Sequence, residues 1–133
     1  MIGCFADTSF FLALLSPDDE AHEAAETANR NLPGLVVTTT WVLTEVADAL
    51  AHPRHRELFL ELLSTLRGDP NVTVVPPSFD LFDRAVDLYG GRRDKKWSLT
   101  DCVSFVVMKE RQIHDALTAD RHFEQAGFVA LLR

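Results

Sequence analysis

The chain has 133 residues, 47% apolar and 25% charged, with a formal net charge of -7. That length suits one ordinary domain, expected over residues 1–133, and the composition is that of a soluble globular protein and not of a disordered tail. No apolar run approaches the roughly 20 residues needed to cross a bilayer, and Met1 to Ala6 lack the basic region of a signal peptide, so a cytoplasmic protein with no membrane attachment is expected.

In chain order, Ile2 to Ala6 reads as a short buried strand with Asp7 at its end, followed by a helix through Leu15. Ser16-Pro17-Asp18 signals a helix start, which predicts a second helix from Asp18 to about Asn31, stopped by Pro33-Gly34. Leu35 to Thr38 is the next strand, and the helical spacing of Leu43, Val46, Ala47 and Leu50 predicts a helix over Thr40 to Leu50. After Pro53 an apolar stripe predicts a helix over Arg56 to Leu66, and Gly68-Asp69-Pro70-Asn71 reads as a turn. Val72 to Val75 is a third strand. Phe79, Phe82, Ala85, Val86 and Tyr89 mark an amphipathic helix closed by Gly90-Gly91. Ser98 to Arg111 is apolar almost all round and is predicted to be a central helix. A fourth strand, Ala116 to Ala119, ends at Asp120, and a short helix and a last strand near Phe128 to Leu131 follow. Short apolar strands alternating with helices predict a three-layer α/β/α sandwich with a short, mainly parallel sheet.

Four acids stand out. Asp7 and Asp120 each lie between a strand and a helix, where Asp also serves as a helix N-cap. Asp101 fits a capping box in Ser98-Leu99-Thr100-Asp101. Glu45 lies too far inside its helix to cap it and falls beside Val42 and Ala49, at the margin of the apolar face. In an open parallel sheet the carboxyl ends of the strands and the starts of the following helices meet in one crevice. Four carboxylates there repel, on the order of 4 kcal/mol for a like-charged pair at ~4 Å and an effective dielectric of about 20, and a cation or bound protons would relieve this. Oxygen-only donors favour Mg²⁺ or Mn²⁺ over zinc, and phosphodiester hydrolysis is the chemistry such an ion serves.

Asp7-Thr8-Ser9, Thr44-Glu45-Val46, Ser98-Leu99-Thr100-Asp101 and Thr118-Ala119-Asp120-Arg121-His122-Phe123, in that order, carry a resemblance to PIN-domain ribonucleases, most closely to the VapC toxins of bacterial toxin-antitoxin pairs. The resemblance runs nearly end to end. It implies that Asp7, Glu45, Asp101 and Asp120 bind the ion and activate water for cutting RNA, and that Thr8, Ser9 and Ser98 orient the carboxylates. It also implies a homodimer and a cognate antitoxin lying across the apolar helices.

The net negative charge argues against broad non-specific nucleic-acid binding, but Arg92, Arg93, Lys95 and Lys96 form a local basic run that could grip RNA or be a solvated loop. Cys4 and Cys102 are expected to be buried thiols. His22, His52, His55, His114 and His122 lack metal spacing; His122 and Phe123 are expected to pack the helix after Asp120. Two other readings compete. A phosphoacceptor receiver-like domain also gathers Asp at strand ends but normally adds a Lys at a later strand end, and none stands at the fourth strand here. A non-enzymatic interaction module would keep the fold and pocket without the chemistry.

Overall fold

A computed structural model describes residues 3–32 and 34–133; the predicted strand start at Ile2 and the helix stop at Pro33 lie outside these. In chain order the elements are β1 (Cys4–Ala6), α1 (Thr8–Leu15), α2 (His22–Arg30), β2 (Val36–Thr39), α3 (Thr40–Ala49), α4 (Arg56–Gly68), β3 (Val72–Val75), α5 (Phe79–Gly91), α6 (Leu99–Glu110), β4 (Asp115–Leu117), α7 (Arg121–Gln125) and β5 (Val129–Ala130). The strands form one sheet in the order β3-β2-β1-β4-β5, and every pairing is parallel.

β1 and β2 are buried along their whole length because helices cover both faces of the sheet. Chain order runs outward from β1 through β2 to β3, then reverses to β4 and β5. With the right-handed crossovers that parallel strands adopt, α1 to α4 cover one face and α5 to α7 the other. The order reverses between β1 and β4, so a crevice opens at their carboxyl ends, where Asp7 and the Thr118–Asp120 segment emerge.

The aromatic core lies directly behind that crevice. Phe105 of α6 packs edge-on against Phe123 of α7 at 4.9 Å and against Trp97 at 5.0 Å, and Phe123 reaches Phe5 of β1 at 6.4 Å between centroids. Each such buried aromatic contributes roughly 1.5–3 kcal/mol by leaving water. Trp97 precedes Ser98, and Phe123 follows His122, so these contacts fix the backbone on both sides of Asp101 and Asp120. Gly3 has a separate task at the sheet's other end: a Cβ there would lie 1.8 Å from the Leu35 carbonyl oxygen, which accepts the Cys4 N–H.

Three boundaries differ from expectation by two residues or more. The second helix starts at His22 and not at Asp18, because Asp19 Oδ1 accepts the Ala21 N–H at 2.8 Å and holds a turn in place of the first helical bonds. β4 ends at Leu117, whose carbonyl accepts the Asp7 N–H, and the next residues leave the ladder to build the crevice. α4 runs on through Gly68, with Asp69 as its C-cap. Both cysteines are free and buried, and burial pushes each thiol up to about 11.

Candidate active site

Asp7 occupies the N-cap position of α1, yet its side chain makes no capping hydrogen bond. The carboxylate turns instead into the crevice, where Oδ2 accepts the Thr118 hydroxyl at 2.8 Å and a longer bond from Ser9 at 3.4 Å. Thr118 is fully buried, and its Oγ1 also accepts the Asp120 N–H at 3.0 Å. Asp7 is only 5% exposed. Burial pushes its carboxyl up to about 7, against the pull of Thr118 and the Thr8 N–H, and the negative charges of Asp101 and Asp120 raise it further.

Glu45 is half-buried on α3, and its Oε1 accepts the Thr8 hydroxyl at 2.6 Å. Asp101 makes the full capping box of α6: the Ser98 Oγ accepts the Asp101 N–H at 3.0 Å, and Asp101 Oδ2 accepts the Ser98 N–H at 3.1 Å. Asp120 caps α7, its Oδ1 accepting the His122 N–H at 2.9 Å. The capping and site readings of Asp101 and Asp120 are therefore compatible, since capping leaves one oxygen of each carboxylate out of these bonds. The same division holds for Asp7 and Glu45, each bonded to hydroxyls through a single oxygen.

All four acids line one cleft of about 340 Å³, together with Thr8, Ser9, Ser98, Lys96 and His122. Its donor set, four carboxylates with hydroxyls behind them and one cationic side chain at the rim, fits a hard divalent ion. The expectation that His122 only packs its helix is corrected. Its Nδ1 lies 3.0 Å from Asp101 Oδ2 and 3.5 Å from Asp120 Oδ1, and donor atoms of these three residues lie within 4.8 Å of one another. The packing role falls to the fully buried Phe123 alone. Thr118 is the other residue that its local sequence did not mark as functional; the signal was its place just ahead of Asp120.

The basic run divides. Arg92 forms a two-bond pair with Asp94 at 3.0 and 3.1 Å and lies over the Trp97 ring at 5.0 Å, so it builds the loop. Arg93 donates through Nε to the Gly90 carbonyl. Lys95 stands 3.8 Å from Asp94, and Lys96 reaches the acidic cleft.

A doubly wound parallel sheet with clustered carboxylates at its switch point defines a nuclease-like hydrolase site. The PIN domain family profile matches residues 4–129, and the chain belongs to this family of metal-dependent nucleases. It is 30% identical over 125 residues to the 23S rRNA-specific endonuclease VapC20 of Mycobacterium tuberculosis, covering 94% of this chain and 95% of the relative. The crystal structure of M. tuberculosis VapC20, described as a sarcin-ricin loop cleaving toxin, superposes with a TM-score of 0.86 at 28% identity, covering 95% of this chain and 96% of that one. A toxin-antitoxin complex from Klebsiella pneumoniae shares the fold with a TM-score of 0.64 at 19% identity, over 89% of this chain and 87% of that one. FitAcB from Neisseria gonorrhoeae does so with a TM-score of 0.65 at 17% identity, over 98% and 95%. No helix among the described residues is long and apolar enough to cross a membrane.

Proposed function

We propose that this chain is a one-domain cytoplasmic endoribonuclease, the toxin of a toxin-antitoxin pair, that cuts RNA with Mg²⁺ or Mn²⁺ held by Asp7, Glu45, Asp101 and Asp120. One observation carries the reading: four carboxylates from four separate stretches of sequence line one cleft, each bonded to hydroxyl or capping groups through one oxygen while the other is left out of those bonds. Such an arrangement is costly without a cation and well suited to one.

When bound, a divalent ion supplies Lewis acidity toward water and the phosphodiester. The chain's own residues do the rest. Thr8 and Ser9 orient Glu45 and Asp7, and the Ser98 backbone orients Asp101. Asp7, titrating near neutrality, gives up its proton when the cleft takes up a cation. Lys96 stands where a phosphate entering the cleft meets positive charge, with Arg93 and Lys95 extending the contact along the loop. The likeness to VapC20 makes the sarcin-ricin loop of 23S rRNA the first target to try.

The partners in this reading are a cognate antitoxin, as in the K. pneumoniae complex, and a second copy of the chain. An exposed apolar stripe on α5, comprising Phe79, Phe82, Val86 and Tyr89, supports a homodimer contact.

The test is cleavage of total RNA and of 23S rRNA with Mg²⁺, with Mn²⁺ and with chelator, with the Glu45→Gln protein as control. Ion-dependent cuts absent from the control support the nuclease. A folded, ion-bound protein that cuts neither substrate would instead favour the interaction module.

A further inference from the structure

His122 is placed by forces that have nothing to do with its ring. Its own N–H is capped by Asp120, and the adjacent Phe123 is locked between Phe5 and Phe105. The imidazole, 23% exposed, is thereby presented to the cleft. Nδ1 lies 3.0 Å from Asp101 Oδ2 and 3.5 Å from Asp120 Oδ1. Neither oxygen lacks a partner without it, since Asp101 Oδ2 holds the Ser98 N–H and Asp120 Oδ1 holds the His122 N–H. One Nδ1 proton could serve only one of the two carboxylates well. Donor atoms that share an octahedral ion are about 3 Å apart; Nδ1 is close to that from both acids, each of which keeps its second oxygen out of the capping bonds, and donor atoms of the three side chains lie within 4.8 Å of one another.

We propose that His122 Nδ1 is a third protein donor, beside Asp101 and Asp120, to the cleft's divalent ion, and that it gives the site a preference for Mn²⁺ over Mg²⁺. This rests on the cleft being an ion site. Mg²⁺ accepts a nitrogen donor reluctantly, whereas imidazole is a better ligand for ions further along the divalent transition series. A purely carboxylate site would show no such bias from this position. The neutral ring with its proton on Nε2 is the form required.

Binding of each ion is measured without RNA. Free Mn²⁺ is counted by electron paramagnetic resonance during titration, Mg²⁺ is added as competitor, and the wild-type chain is compared with His122→Asn and His122→Ala. Pulsed resonance on the Mn²⁺-loaded wild type, grown with natural or ¹⁵N-labelled histidine, reads nitrogen bonding directly and needs no variant. The expected result is a directly bonded histidine nitrogen signal that shifts with the label and is lost in both variants, with the Mn²⁺ to Mg²⁺ affinity ratio falling roughly tenfold or more. A loaded wild type without nitrogen coupling would overturn the proposal. So would equal losses of Mg²⁺ and Mn²⁺ affinity in the variants, which would make His122 a positioning residue for Asp101. Failure of the wild type to bind either ion would bring down the ion-site reading itself, and the proposal with it.

Discussion

The Thr118 hydroxyl donates to Asp7 Oδ2 at 2.8 Å across 111 positions of sequence, and both groups are buried. A single threonine thus ties the segment after β4 to the acid after β1, while its oxygen also accepts the Asp120 N–H. Thr118→Val keeps the shape and removes both bonds. It should cost roughly 1–3 kcal/mol in urea unfolding, raise the Asp7 carboxyl further and weaken Mn²⁺ binding. Thr118→Ser should restore most of each. Valine with wild-type ion affinity would show that the hydroxyl does not shape the site.

Asp7 makes stability depend on pH. Its native value, about 7, lies above the unfolded value near 4, so the native state binds more protons between them. The stabilisation is complete below about pH 4 and is lost as pH rises through about 7, with a slope of at most about 1.4 kcal/mol per pH unit. The ion-free wild type should therefore lose more stability between pH 5 and pH 8 than Asp7→Asn does, as read from chemical denaturation at each pH. Saturating Mn²⁺ should reverse the trend, because the ion competes with the proton. Parallel profiles for the two proteins would refute this account.

Glu45 and Asp101 should separate when neutralised. Glu45 holds no cap, so Glu45→Gln should abolish cleavage while leaving thermal stability unchanged or slightly raised, like-charge repulsion having been relieved. Asp101→Ala also breaks the capping box of α6 and should lower stability by about 0.5–2 kcal/mol. Thermal unfolding alongside an activity assay distinguishes the two, and equal destabilisation would contradict the assignment of the cap.

Within the basic loop, Lys96 and Arg92 should behave differently toward RNA. With an uncleaving Glu45→Gln background, Lys96→Ala should reduce the slope of log affinity against log salt by about 1. Arg92→Ala, removing a group already paired with Asp94, should leave that slope nearly unchanged and alter Trp97 fluorescence instead. A slope flattened equally by both would mean that the Asp94 pair opens on RNA.

Much of this was legible from residues alone, for physical reasons that differ by element. β3 follows from a short apolar run stopped by Pro76-Pro77, and α5 from helical spacing, although the stripe that marked α5 is mostly exposed and the helix instead buries Leu81 and Ala85. Asp7, Asp101 and Asp120 stand out because each sits next to a strand end or a helix start, positions that the parallel topology carries to one edge, and Glu45 because a carboxylate stands at the margin of its helix's apolar face. The second helix was misplaced because a single Asp19 side chain outcompeted the first turn. His122 was undervalued because its relation to Asp101 spans 21 positions, and local spacing carries no trace of it. Arg92 could be read as a phosphate contact until its pairing with Asp94 and Trp97 was visible in three dimensions.

The strand order has a consequence for timing. β1 is made well before β4, its neighbour toward the cleft, and Thr118 and Asp120 follow β4 in the chain. The earlier strands can pair with β1 as they appear, but the acidic quartet stays incomplete until Asp120 has cleared the exit tunnel. A partly made chain that has β1 to β3 but lacks β4 and Asp120 therefore carries most of the sheet without the complete acidic cleft.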